Sequence, residues 1–171
     1  MKDPTRLISQ ELYSFINYLS GYDKLINYSC KKKGLSKIER REIKNIFEEL
    51  DEVTGITFTK TKKSNDDIRF FSVNEINDNV LGQAQLTKKR IEISFRDNDK
   101  KVSLLEKYVL RHEVGHALGL SHPGGDGSNP DWDASHSIMS YNVWDNNGNF
   151  AYHGYTDLDH HVLSFMWNSP L

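Results

Sequence analysis

Cysteine is almost missing from this chain of 171 residues: Cys30 stands alone, so no disulfide closes within the chain and the usual sign of an oxidising compartment is lacking. A lone thiol can cap a metal site from a prosegment, but in KLINYSCKKK it lies in a strand-like stretch, where a small half-buried side chain is the plainer reading. No apolar run approaches the roughly 20 residues of a membrane span. The start, MKDPTRLISQELYSF, interrupts any export-signal core with Arg6, Ser9, Gln10 and Glu11. Nor does one sign of charge dominate: 22 Lys and Arg against 24 Asp and Glu leave a net charge of −2, without the basic footprint of a nucleic-acid partner. Repeats, linkers and low-complexity segments are absent, so residues 1–171 read as one domain.

Apolar spacing supplies the elements. Asp3-Pro4 opens a helix in which Leu7, Ile8, Leu12, Phe15, Ile16 and Leu19 recur at helical spacing up to Gly21. Residues 1–20 are thus an amphipathic packing helix or a vestigial prosegment. A strand over Leu25 to Cys30 and a solvated lysine turn at 31–33 precede Ser36-Lys37-Ile38-Glu39, a capping box whose helix ends at Gly55. ITFTK, DIRFFSV and RIEISF alternate like strands. Leu81 to Leu86 has small or polar residues on alternate positions, as an edge strand does. A second capping box, Ser103 to Glu106, launches the helix that ends at Gly119. Residues 123–149 form a long loop that packs. Thr156 begins a last helix with Leu158, Val162, Phe165 and Met166 on one face.

The chemistry lies in RHEVGHALGLSHP, residues 111 to 123. His112 and His116, four apart on a helix, project from one face and can grip one ion. Gly119 permits a left-handed cap and a sharp turn that brings His122 back to the same ion. Three imidazoles with one position open suit a catalytic zinc, because structural sites are closed by a fourth side chain, commonly cysteine. Glu113, next to the first ligand, is placed to take a proton from water and pass it to a leaving amine. Chance produces H-E-x-x-H-x-x-G-x-x-H in a chain this long on the order of once in ten thousand sequences, each fixed residue costing a factor of about 20.

On His112, Glu113, His116, Gly119 and His122 the sequence resembles the metzincin zinc peptidases. Pro123 and the run Ser137-Ile138-Met139-Ser140-Tyr141 are similar to the serralysin branch of that family, over residues 22–168. The resemblance implies an α+β fold: a twisted mixed sheet, a backing helix, an active-site helix, and an irregular lower part with a methionine turn and a C-terminal helix. It implies Met139 as an apolar floor beneath one zinc ion, and Tyr141 as a labile ligand whose hydroxyl supports the oxyanion. Read without it, both are as readily loop-packing residues. It also makes Gly82 to Leu86 a rim strand binding substrate backbone antiparallel, with Gly82 and Ala84 facing the peptide; otherwise this is an ordinary solvent-facing edge. The expected activity is endopeptidase cleavage of proteins or peptides by a monomer. A zinc-binding module without turnover and a small-amide hydrolase are the rival readings. Serralysins continue into calcium-binding repeats, whereas this chain stops at Leu171; Asp97 to Asp99 and Asp145 to Asn149 match no full calcium loop, and calcium is not implied. Secretion is implied by resemblance, with delivery as an effector or a cytoplasmic location as alternatives.

Overall fold

The computed structural model describes residues 2–30, 34–62, 65–77, 80–97, 99, 101–145 and 147–168. The lysine turn at 31–33, Asn98 and Asn146 therefore lie outside the described residues.

The N-terminal helix expected as one element is two. Asp3 caps a 3₁₀ turn, Pro4–Leu7, and Ser9 caps α1, Gln10–Leu19. The break has a physical cause: Ile8 leaves the helical path to form an antiparallel bridge with Leu120, far along the chain. Five strands follow, β1 Leu25–Cys30, β2 Thr57–Lys60, β3 Ile68–Val73, β4 Gly82–Leu86 and β5 Ile91–Arg96, in the spatial order β2-β1-β3-β5-β4. All neighbours are parallel except β4, which pairs antiparallel with β5 at the sheet's edge.

Between β1 and β2 runs α2, Lys37–Thr54, started by the reciprocal capping box of Ser36 and Glu39 and ended by Gly55 at φ +66°. Its buried stripe, Ile43, Ile46, Phe47 and Leu50, lies on the sheet, where Phe47 meets the rings of Tyr28, Phe58 and Phe70 at 4.5 to 5.8 Å. Further along the sheet, α3, Leu104–Ala117, rests on β4 and β5. Arg111 on α3 forks between Glu42 (2.6 Å) and Glu49 (3.3 Å) of α2, tying the two helices together.

The lower part is irregular up to α4, Asp157–Asn168. Val162, Leu163, Met166 and Trp167 bury its inner face, whereas Phe165, expected there, is 59% exposed. The inward stripe of α4 therefore runs one position away from the expected one, through Leu163 and Trp167. No helix among the described residues is long and apolar enough to cross a membrane.

Candidate active site

The Ser103–Glu106 capping box satisfies the first turn of α3, and the helix then carries Tyr108, His112, Glu113 and His116 into the interior. It ends where expected. Gly119 takes φ +105°, a backbone costly for any residue with a Cβ, and Leu120 N–H returns to the Gly115 carbonyl at 2.9 Å. The chain so reversed brings His122 back over the helix. His122 Nε2 lies 3.2 Å from His112 Nε2 and 3.1 Å from His116 Nε2.

Tautomers decide what this convergence means. The Nδ1–H of His112 donates to the Ile138 carbonyl and that of His116 to the Leu120 carbonyl, each at 2.9 Å, and a carbonyl can only accept. Both Nε2 atoms are therefore bare lone pairs, aimed at one another and at His122. Burial and mutual proximity hold His112 well below the ordinary histidine pKa, His116 down to about 4, and His122 lower than usual by burial. Lone pairs facing at such distances repel unless a cation sits among them, so the donor set fits a zinc ion. The three ligand atoms lie within 4.8 Å of one another.

Met139 is fully buried. A Cβ added at Gly115 would come within 2.9 Å of the Met139 sulfur, so the bare glycine between the two helical histidines makes room for that side chain. The methionine turn is itself held by Asp159 of α4, a residue that sequence reasoning does not single out. Its carboxylate accepts Ser137 Oγ–H at 2.6 Å, Ile138 N–H at 2.9 Å and Thr156 N–H at 2.8 Å. Tyr108 escapes sequence reasoning too, although its place four residues before His112 puts it on the same face. Its hydroxyl donates to the Ser140 carbonyl at 2.7 Å and joins helix to turn. Tyr141 follows, half exposed, its ring centroid 4.7 Å from that of His122 and 5.4 Å from that of His112. Burial and then Glu113 nearby raise its pKa and keep the hydroxyl protonated.

Glu113 is buried beside β4, and its carboxylate accepts the Ala84 backbone N–H. Burial pushes it up to about 8; the Ala84 N–H pulls the other way, as a metal dication bound next to it does. Gly82 is packed just as closely: a Cβ there would lie 2.4 Å from Val109 Cγ1 and 2.9 Å from Glu113 Cγ, so β4 can lie flat on the active-site helix only without one. Next to Glu113 opens a cavity of about 440 Å³, walled by Leu81, Leu105, Val109, Val143 and Trp144 with Tyr108 and Tyr141. Cys30, at the end of β1, is not part of the histidine group.

The family model for the astacin peptidases matches residues 20–169. The chain belongs to the astacin family. Astacins are metzincins and zinc metalloendopeptidases, so this chain is a hydrolase of that class. The metzincin resemblance holds, but the serralysin branch is corrected to astacin. Pro123 and Ser140 point towards serralysin in the sequence, yet each meets a local need. Pro123 opens the 3₁₀ turn Pro123–Gly125, and the buried Ser140 hydroxyl donates to the Trp132 carbonyl at 3.0 Å. Such positions report on their own loops more than on a branch.

Among solved structures the astacin domain is similar to "Structure of myroilysin", with a TM-score of 0.59 and 16% identity over 86% of this chain and 94% of that one. A second, "Crystal structure of myroilysin", gives 0.62 and 14% over 85% and 84%. A chain of "GM1 bound form of the ECX AB5 holotoxin" gives 0.61 and 17% over 88% and 82%. At these identities the likeness is one of fold: the mixed sheet with its helices is the metzincin arrangement.

Proposed function

We propose that this protein cleaves extended polypeptides laid along β4, with Glu113 as the general base, Tyr141 supporting the oxyanion, and His112, His116 and His122 holding one zinc ion above Met139. The convergence of three imidazole Nε2 atoms, those of His112 and His116 unprotonated, beside a buried carboxyl group carries this reading. Zinc held there supplies a Lewis acid that polarises a carbonyl and brings the pKa of a water to about 7. Glu113 takes one proton from the attacking water and gives it to the amine nitrogen as the C–N bond breaks, while the hydroxyl stays on the new carboxyl carbon. The Tyr141 hydroxyl donates to the carbonyl oxygen as negative charge gathers on it.

The strand explains why the substrate is a chain. Arg96 N–H donates to the Leu81 carbonyl and Thr87 N–H to the Arg90 carbonyl, so by antiparallel alternation Gln83 and Gln85 face β5 while Gly82, Ala84 and Leu86 turn their backbone away from it, the Ala84 N–H towards Glu113. A peptide adding antiparallel there runs its C-terminal half towards Gly82, where the cavity opens. The residue after the scissile bond then enters a wall of Leu81, Leu105, Val109, Val143 and Trp144, which suits a large apolar side chain and penalises an acidic one. The site is built from one chain, consistent with a monomer, and action outside the producing cell follows the habit of the family.

Digestion of a mixed peptide library, with cut sites mapped by mass spectrometry, is the test. Cleavage should precede Leu, Phe or Met and stop with a chelator, and Glu113→Gln should keep its zinc yet lose about 10²-fold or more in kcat. Cuts before Asp or Glu at equal rates refute the cavity assignment, and an active Glu113→Gln refutes the base.

A further inference from the structure

His122 hangs five residues beyond the end of α3, on chain that belongs to neither helix nor strand. A ligand so placed is only as well aimed as the turn that carries it. Backbone groups along that turn are tied down, and several partners come from far away. Trp167 Nε1–H donates to the Leu118 carbonyl at 3.0 Å, and the Leu120 carbonyl receives His116. Two more ties belong to the N-terminal segment: Ser9 N–H donates to the Gly119 carbonyl and Ser121 N–H to the Leu7 carbonyl, both at 2.8 Å, on either side of the Ile8 and Leu120 bridge.

Side chains repeat the pattern. Leu7 is fully buried. Tyr13 packs its backbone into the space Gly119 leaves, since a Cβ on that glycine would lie 2.9 Å from Tyr13 Cβ and 3.2 Å from Tyr13 Cα. The Tyr13 hydroxyl donates to the Met166 carbonyl at 2.7 Å, and its ring stands edge-on to Trp167 at 5.3 Å. The family match begins at residue 20, so this segment lies outside the matched span and yet grips the turn that the third ligand depends on.

We infer that residues 7–13 are a strut of the metal centre, with Leu7 and Tyr13 as positioning residues that aim His122; this rests on the reading of the three histidines as zinc ligands. The strut acts by restraining the Gly119–Ser121 turn, touching neither metal nor substrate. Losing it leaves His112 and His116 fixed on their helix and frees the third imidazole to wander.

Competition with a chromophoric chelator measures zinc affinity in the full-length chain, and the visible spectrum of the cobalt-substituted protein reports ligand geometry. Leu7→Ala should weaken zinc binding by about 10- to 100-fold and alter the cobalt spectrum. Ile43→Ala, equally buried but on the inner face of α2, should lower the melting temperature comparably while holding zinc within about twofold of wild type. Leu7→Met should restore affinity. If Leu7→Ala does not fold, Leu7→Val takes its place, with a loss of about threefold or more. A folded Leu7 variant that binds zinc as wild type does, or an Ile43→Ala that loses as much zinc, overturns the strut. A wild-type chain that takes up no zinc overturns the histidine reading itself and the strut with it.

Discussion

Gly115 and Cys30 show how differently single residues bear on this site. Gly115 lies in ordinary helical backbone, so conformational freedom does not explain it; the Met139 sulfur and the Leu120 side chain, 2.9 and 3.3 Å from where a Cβ would be, do. Its reason lies in residues that follow later in the chain, and spacing within the helix could not have announced it. Cys30 is the converse, conspicuous in the sequence and chemically quiet in the fold. Burial at the end of β1 is the main cause that pushes its thiol up to about 11. A raised thiol pKa means that the fold disfavours the thiolate, which is the reactive and metal-binding form. At pH 8 a group titrating near 11 is about 0.1% thiolate, against about 10% for one near 9. Alkylation of the native protein by iodoacetamide at pH 8 should therefore run about 100-fold slower than in urea, and equal rates would contradict that placement.

At the level of elements the site is a helix and a turn fastened to each other. α3 brings two imidazoles and Glu113, while the methionine turn brings Met139 and Tyr141; Tyr108 joins α3 to the turn, and Asp159 joins the turn to α4. Asp159 is fully buried, and its removal would strip a buried acceptor from the donors on Ser137, Ile138 and Thr156. Asp159→Ala should cost about 3 kcal/mol, a fall in melting temperature of about 10 °C by calorimetry, and should weaken zinc binding, whereas Phe165→Ala on the exposed face of the same helix should change stability by less than about 0.5 kcal/mol. The helices α2 and α3 were legible because capping boxes and αL glycines are local signals. Residues 3–19 misled because their apolar spacing is helical throughout, and only the distant Leu120 makes Ile8 leave the helix. Met139 and Tyr141 became legible through resemblance alone, their contacts being long-range. Asp159 stood in plain view three residues after Thr156 as a capping pair, but its hold on the methionine turn depends on folding.

For the whole molecule, the same buried groups set how stability follows pH. In the metal-free protein, His116 titrates near 4 when folded and near 6.5 when unfolded, so between these values the unfolded chain binds more protons. The contribution of this ring is then complete above about pH 6.5 and drains away as pH falls towards 4, by at most about 3 kcal/mol, with His112 adding in the same direction, while Glu113, protonated up to about 8 in the fold, opposes both by losing stability as pH rises above about 4.5. The alkaline side has the opposite sign. Cys30 and Tyr28, pushed by burial to about 11 and about 12, keep their protons in the fold at pH values where the unfolded chain has already lost them, so the unfolded chain binds fewer protons and stability declines as pH climbs past their ordinary values. Denaturant melts of the chelated protein should thus show a maximum near pH 6.5, where the histidine contributions are complete, with stability falling on the acid side and also towards pH 8 as Glu113 holds a proton the unfolded chain has lost. Zinc binds only the folded, neutral imidazoles, and at 100 times its dissociation constant adds about 2.7 kcal/mol. Because the folded His116 stays neutral until about pH 4, the gap in melting temperature between zinc-loaded and chelated protein should persist from neutrality down to about pH 5 and close near 4. A gap already gone at pH 6.5 would show that the imidazoles titrate as if exposed, and would contradict the buried, preorganised cluster from which the catalytic reading begins.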